Sequence, residues 1–149
     1  MNFTGNVHAI LQLGYAAAGQ TTLTPAAGVD LRDHEGCLFL ITWGTITAGT
    51  TTSAVVYQSS DDGVLDAYTD LVGASVIVTD ADSDLLTTIE VVQPSKRYLK
   101  CVVARDVENA ELVSVVALVY GGSRFPLSAA PDSVLQQALV QTPAEVVAP

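Results

Sequence analysis

The sequence predicts an all-β protein: an antiparallel β-sandwich, jelly-roll-like, with about eight strands. Short segments rich in Val, Thr, Ile and Leu recur at roughly ten-residue spacing, and Gly, Pro, Asn and Asp fill the intervals between them. No helical period connects these segments, which favours stacked antiparallel sheets over a helical or α/β fold. The chain has 149 residues, enough for one domain with one hydrophobic core. We expect residues 1–123 to form this sandwich.

The individual strands are predicted from β-branched enrichment and from the turn residues that separate them. Turns are expected at sites such as Asp61-Asp62-Gly63 and Gln93-Pro94-Ser95, whose residues tolerate or stabilise turn geometry. The predicted strands are Val7–Leu13, Thr21–Leu23 with an extension near Val29–Leu31, Cys37–Trp43, Ala54–Ser59, Ala74–Thr79, Thr87–Val92, Tyr98–Ala104 and Leu112–Tyr120.

Two of these segments are apolar at both odd and even positions: Leu38–Ile41 and Val113–Val119. A strand with one buried face alternates apolar and polar residues, so the second face of these strands needs an explanation. Either a neighbouring subunit covers it, or the strand is buried on both sides within one subunit. An uncovered apolar strand would invite aggregation.

The composition changes from Arg124 to Pro149, where prolines interrupt the chain and strand alternation is lost. We expect an extended C-terminal arm, with one short helix that begins near Asp132 or Ser133. At ~3.3 Å per residue the arm would reach on the order of 80 Å, enough to cross a neighbouring subunit. A frayed terminus is the alternative.

The charge of the chain excludes several partners. Its net charge is −10, and between Gly36 and Ser95 it has eight carboxylates and no lysine or arginine. DNA and anionic membrane surfaces would repel such a protein, so neither is an expected partner. No apolar run approaches the ~20 residues of a membrane-spanning helix. The N-terminal segment also lacks the features of a signal peptide, so folding in a reducing cytoplasm is expected.

Side chains suited to catalysis are scarce. His8 and His34 are the only imidazoles; His8 falls in a strand pattern, and His34 in a polar turn where we expect it to be solvated. The Gly-x-Ser-x-Gly nucleophile motif is absent. Asp61 and Asp62 belong to a carboxylate-rich segment of the kind that glycosidases use, but only 6% of the residues are aromatic. We therefore predict no enzyme activity, no catalytic residue and no cofactor.

The segment Asp80–Asp84 has the Asp-x-Asp-x-Asp opening of a calcium loop. The loop would need Gly at its sixth position and Glu at its twelfth, where this chain has Leu85 and Val91. We predict a turn between two strands and no metal site. A weak surface site for a divalent cation is the alternative.

Three further residues are assigned to the core. Trp43, the sole tryptophan, is expected to anchor the core at the end of a strand. Cys37 and Cys101 lie in apolar runs and are expected to be buried thiols. A disulfide between facing strands is the alternative, and it requires a close Cα approach.

Lys96, Arg97, Lys100 and Arg105 form the one basic cluster of the sequence. The two-residue period of a strand places Arg97 and Arg105 on one face, and Lys96 and Lys100 on the other. Such a division weakens any nucleic-acid site. Two interpretations stay open: these groups pair with the acidic loops of the chain itself, or they bind an acidic surface of a partner.

Four segments in order, Tyr57–Gly63, Leu71–Gly73, Arg97–Val103 and Val119–Gly122, resemble a known type of protein. They are similar to the jelly-roll cement, or head decoration, proteins of tailed bacteriophages, over roughly residues 5–127. The resemblance implies a non-enzymatic protein that binds the outside of the assembled capsid, contacts the major capsid protein and reinforces its lattice, often as an oligomer. It transfers no site residue, because it rests on strands and turns.

The sequence therefore predicts a virion protein of the capsid exterior, made in the host cytoplasm, that forms a dimer or trimer. The alternative is a β-sandwich adhesion module that binds glycans through its acidic, Thr-rich loops; a small glycosidase is the least supported reading. The residues expected to contact a partner are Lys96, Arg97, Lys100, Arg124 and Phe125.

Overall fold

The computed structural model describes residues 5–19, 21–48, 51–105 and 110–122. The predicted arm from Arg124 to Pro149, with Phe125, lies outside the described residues, and so does the domain boundary near residue 123. One 3₁₀ helix, Asp80–Asp82, accompanies the strands. The strands are β1 (Val7–Leu13), β2 (Ala16–Gly19), β3 (Val29–Asp30), β4 (Gly36–Ile46), β5 (Thr52–Ser59), β6 (Thr69–Val78), β7 (Leu86–Val92), β8 (Tyr98–Arg105) and β9 (Ala110–Tyr120).

The strands form two antiparallel sheets, which confirms the predicted all-β sandwich. Sheet I has the order β1-β9-β4-β7, and β2 also pairs with β9; sheet II has the order β3-β8-β5-β6. With the short β2 set aside, each sheet has four strands, and this order of connections is that of a jelly roll. Apart from the consecutive pair β5 and β6, neighbours in the sheets are distant in the chain, as in the pairing of Val7 with Tyr120.

One strand prediction at the N-terminal side is wrong, and one strand there was not predicted. Thr21–Leu23 is not a strand; within the part of the chain that the structure describes, it makes a single bridge, between Leu23 and Val103. The strand β2 was not predicted, because its sequence Ala-Ala-Ala-Gly lacks the β-branched residues on which the prediction relied. It pairs with β9 because the chain continues along that strand after the interruption that follows Leu13.

The core lies between the sheets and is built mainly by the odd-numbered residues of β4, β8 and β9. Trp43 is 1% exposed near the end of β4, and its Nε1 donates a hydrogen bond to Thr87 Oγ1 at 2.9 Å, so the predicted core anchor is confirmed. Cys37 and Cys101 are buried free thiols, as expected. Burial raises the pKa of each thiol to about 12, which suppresses thiolate formation at neutral pH.

The connections gather at two ends of the sandwich. Residues 31–35, 60–68 and 93–97 lie together at one end, which we call the loop end, because Asp30 pairs with Tyr98 and Gly36 pairs with Val92. The 3₁₀ helix lies at the opposite end, between β6 and β7. This element confirms the predicted turn at residues 80–84.

Candidate functional site

Lys96 and Arg97, two of the residues expected to contact a partner, lie at the loop end and form ion pairs within the chain. Lys96 Nζ is 2.7 Å from a carboxylate oxygen of Asp66. The Arg97 guanidinium donates from Nε and Nη2 to the two oxygens of Asp30, each at 2.7 Å. Lys96 is the main cause that lowers the pKa of Asp66 to about 2, and Arg97 likewise lowers the pKa of Asp30. Pairing with the chain's own acidic residues is therefore present at both positions.

These two cations line a cleft of about 460 Å³ at the loop end. Three of the six basic residues of the chain border it, and no carboxylate is among the residues that line it. Asp30 accepts hydrogen bonds from two of the guanidinium nitrogens of Arg97, Nε and Nη2. The third, Nη1, has no acceptor among the described residues and can donate to a group of a partner. A carboxylate is the group that such a cleft can bind. The lining residues are Leu31, Arg32, His34, Gln93, Pro94, Ser95, Lys96 and Arg97.

Lys100 and Arg105 are separated from this cleft. Lys100 lies on β8 with its Nζ 4.1 Å from the ring centroid of Tyr68, a cation–π contact. Arg105 is 7% exposed and points between the sheets. The four basic residues that are close in sequence thus lie in three places: the cleft, the outward side of sheet II and the space between the sheets. Arg124 lies outside the described residues.

The acidic loop between β5 and β6 is held by its own carboxylates. Asp61 accepts hydrogen bonds from the backbone N–H groups of Val64, Leu65 and Asp66 at 2.7–3.1 Å. These bonds, that from Leu65 foremost, lower the pKa of Asp61. The loop presents Val64 and Leu65 to solvent, 79% and 93% exposed. The carboxylate thus stabilises the loop conformation, which leaves fewer acceptors for a glycan.

The two histidines lie together at the loop end, which the sequence did not indicate. The ring centroids of His8 and His34 are 6.2 Å apart. His34 Nδ1 is 2.8 Å from the carbonyl oxygen of Arg32, and Nε2 is buried with no partner among the described residues. His34, expected to be solvated, is therefore half-buried: its Nδ1 contact is exposed and its Nε2 is buried. Burial, with a smaller effect of His34, lowers the pKa of His8.

The outward side of sheet I is apolar across all four of its principal strands. Directly paired residues share a face, so the register defines three rows across β1, β9, β4 and β7. The first is Val7, Tyr120, Gly36 and Val92; the second is Ala9, Leu118, Leu38 and Glu90; the third is Leu11, Val116, Leu40 and Thr88. Leu86 extends this surface on β7. We call these residues the outer face of sheet I.

Tyr120 covers Gly36 on this face. A Cβ on Gly36 would be only 2.7 Å from Cζ of Tyr120, so the tyrosine ring lies directly over the glycine. Its hydroxyl donates a hydrogen bond to Glu90 on β7, which lies on the other side of β4 in sheet I. Burial and this carboxylate raise the pKa of Tyr120 to about 12. Glu90, the only charged group in the three rows, therefore has a hydrogen-bond partner on the same face.

Sheet II has a different outward side. One of its rows is Lys100, Tyr57 and Asp70, and the next is Val102, Val55 and Ser75, with Val55 on the strand between the other two. This side is a mixed polar surface of the kind that water solvates. The two strands that are apolar on both faces in the sequence are β4 and β9. Both are central in sheet I, and each has one face in the core and the other on the outer face of sheet I.

Comparison with known proteins gives distant structural similarities. No protein-family model and no curated protein matches the chain. Among solved structures, it is similar to the PBSX exported protein XepA, with 16% identity and a TM-score of 0.49 over 94% of this chain and 45% of that one. It is also similar to the structure of infectious bursal disease virus, Gx strain, with 16% identity and a TM-score of 0.38 over 80% of this chain and 33% of that one.

The chain thus spans less than half the length of each of these neighbours. The class that the fold defines is an all-β jelly-roll sandwich with one apolar and one mixed outer face. Within the described ranges, no helix is long and apolar enough to cross a membrane. No group of three or more metal-ligating side chains occurs there either.

Proposed function

We propose that this chain is a non-enzymatic virion protein, a cement protein that binds the exterior of a tailed-phage capsid. In this proposal it contacts the major capsid protein and reinforces its lattice. The observation that carries the proposal is the outer face of sheet I. A protein that acts alone in water rarely keeps an apolar sheet face uncovered, whereas a component of an assembly uses such a face to associate.

The charge of the chain supports a position outside the shell. At −10 the protein is repelled by packaged DNA, so it would not be drawn to the interior. A protein repeated over a lattice also needs only modest affinity per copy, because joint engagement raises the effective affinity by ~10²–10⁴.

The loop end supplies the proposed contact with the capsid. Lys96 and Arg97 are half-exposed in the cleft, and their ion pairs with Asp66 and Asp30 can be exchanged for carboxylates of a partner. Lys100, whose Nζ lies over the ring of Tyr68, would contribute a second contact from the outward side of sheet II. Exposed ion pairs are worth little by themselves, so such an exchange has a low cost.

A capsid co-sedimentation assay tests the proposal. Wild-type protein is expected to bind expanded capsids at low salt, with an affinity that falls as salt rises. The double variant Lys96→Gln/Arg97→Gln should bind about tenfold more weakly. The control Thr47→Glu/Thr51→Glu makes the same change in net charge on exposed residues at the opposite end, and should bind as wild type does.

Two results would count against the proposal. Absence of wild-type binding to capsids at any salt concentration would refute it. Selective binding on a glycan array without capsid affinity would instead favour the adhesion module. Equal weakening by both double variants would keep the capsid as partner but remove the cleft as the contact.

A further inference from the structure

The outer face of sheet I has the properties of a surface that meets its own copy. An isologous contact brings the same patch of two subunits together, so the patch must complement itself. An apolar surface does this, whereas a surface with charges of one sign repels its copy. Because each copy carries a net charge of −10, the two subunits must meet through a nearly neutral surface.

The polarity of the two outward sides identifies that surface. Glu90 is the only charged side chain in the three rows of sheet I, and it accepts a hydrogen bond from Tyr120. It lies on β7, an edge strand, so it would be at the rim of a contact centred on β4 and β9. The outward side of sheet II has Asp70 and Lys100 in one row and serines in the next two, so it is less apolar than the outer face of sheet I.

The size of the face is close to what a specific contact needs. Four strands at ~4.8 Å spacing and three rows at ~6.8 Å give roughly 390 Å² in plan. Two such faces give roughly 780 Å² before side-chain relief and flanking residues such as Leu86 are added. This plan area is about equal to the ~800 Å² total below which most non-specific contacts fall, and the added relief and flanking residues bring it toward the ~1,200 Å² at which stable interfaces begin.

We infer that the outer face of sheet I packs against the same face of a second copy, so that the protein is a two-fold symmetric dimer. Two twisted sheets pack face to face at about 10 Å with their strands aligned within about 30°. Leu38, Leu40, Val116 and Leu118, on the two central strands, form the middle of this contact. The inference does not depend on capsid binding, and it leaves the cleft at the loop end free.

Sedimentation equilibrium tests the inference directly. The expected mass is that of two chains, twice 15.5 kDa. The variant Leu118→Glu places an unpaired charge at the middle of the contact, and should weaken dimerisation by about 100-fold or more. The matched control is Val102→Glu, a half-buried valine at a central strand of sheet II, which should stay dimeric. Circular dichroism and thermal melting show whether each variant is folded.

A second measurement needs no variant. In the dimer, the methyl groups of Leu38, Leu40 and Leu118 should be protected from a soluble paramagnetic agent, while those of Val55 and Val102 should be attenuated. A mass of 15.5 kDa at millimolar concentration would overturn the inference, even with protected methyls, since the chain itself would then cover the face. A trimeric mass, or a folded Leu118→Glu variant that dimerises normally, would also overturn it. Loss of capsid binding by an intact dimer would count only against the proposed function.

Discussion

Arg105 is a buried cation that joins the two sheets. It belongs to β8 of sheet II, yet its Nη1 donates to the carbonyl oxygens of Ala17 on β2 and Ala110 on β9, both in sheet I. Its Nε and Nη2 donate to the carbonyl and hydroxyl oxygens of Thr21, at 3.0 and 2.8 Å. Replacement by methionine keeps most of the aliphatic volume and removes all four hydrogen bonds.

The size of the effect follows from the acceptors that Arg105→Met would leave behind. The carbonyl of Ala110 is fully buried in this contact, and an unsatisfied buried acceptor costs about 1–3 kcal/mol. The other three acceptors are partly buried, so water recovers much of their bonding, and each loses about 0.5 kcal/mol. We therefore expect the free energy of unfolding to fall by about 3 kcal/mol.

Urea unfolding measures this loss. With a slope of about 1.5 kcal/mol per molar urea, the midpoint should fall by about 2 M. The control is Arg97→Met, which removes the same side chain from an ion pair with 40% and 45% exposed partners. An exposed pair contributes about 0–1 kcal/mol, so its midpoint should fall by less than about 0.7 M. Equal shifts in the two variants, or a shift under 0.5 M for Arg105→Met, would refute the reasoning.

Three further predictions concern titratable groups. The pKa of Asp66 is lowered to about 2 in the folded protein against an ordinary 3.8, so its stabilising effect is present above that ordinary value and is lost as the pH falls from about 4 to 2. Asp66→Asn should therefore flatten the decline of the melting temperature over this interval; parallel declines would contradict the assignment. Cys37 and Cys101 should react with a thiol reagent at pH 8 only after unfolding, and immediate reaction in the native protein would contradict their burial. Asp61→Ala should accelerate hydrogen exchange at the three loop amides that bond to its carboxylate by about tenfold, with unchanged exchange in the core strands; unchanged loop exchange would disprove its role.

Local sequence was sufficient for most strands, since a strand that alternates or is rich in β-branched residues carries its own signal. Trp43 and the two cysteines were assigned to the core for the same reason: each lies within an apolar run. The exception, β2, shows the limit of this approach. A run of alanine followed by glycine has no intrinsic preference for a strand, and only the free edge of β9 makes it one.

The candidate surfaces needed the tertiary structure. Sequence showed that β4 and β9 are apolar on both faces, but the outer face also needs β1 and β7, which join it only through pairings between distant segments. The basic cluster shows the opposite case, in which residues close in the chain are separated by the fold. Arg105 is close in the chain to Lys96 and Arg97, yet it is buried between the sheets while they line the cleft, because the acceptors that hold each cation come from elsewhere in the sequence.

By itself, then, the sequence determined that this chain forms strands, where most of them begin and end, and that it repels polyanions. Hydrophobic periodicity and net charge are properties of neighbouring residues or of the whole composition, so no fold is needed to read them. The tertiary structure alone decided the strand order, the partners of the buried and half-buried charges, and the continuity of the apolar face. These depend on long-range register, which fixes which residues stand side by side on one face of a sheet.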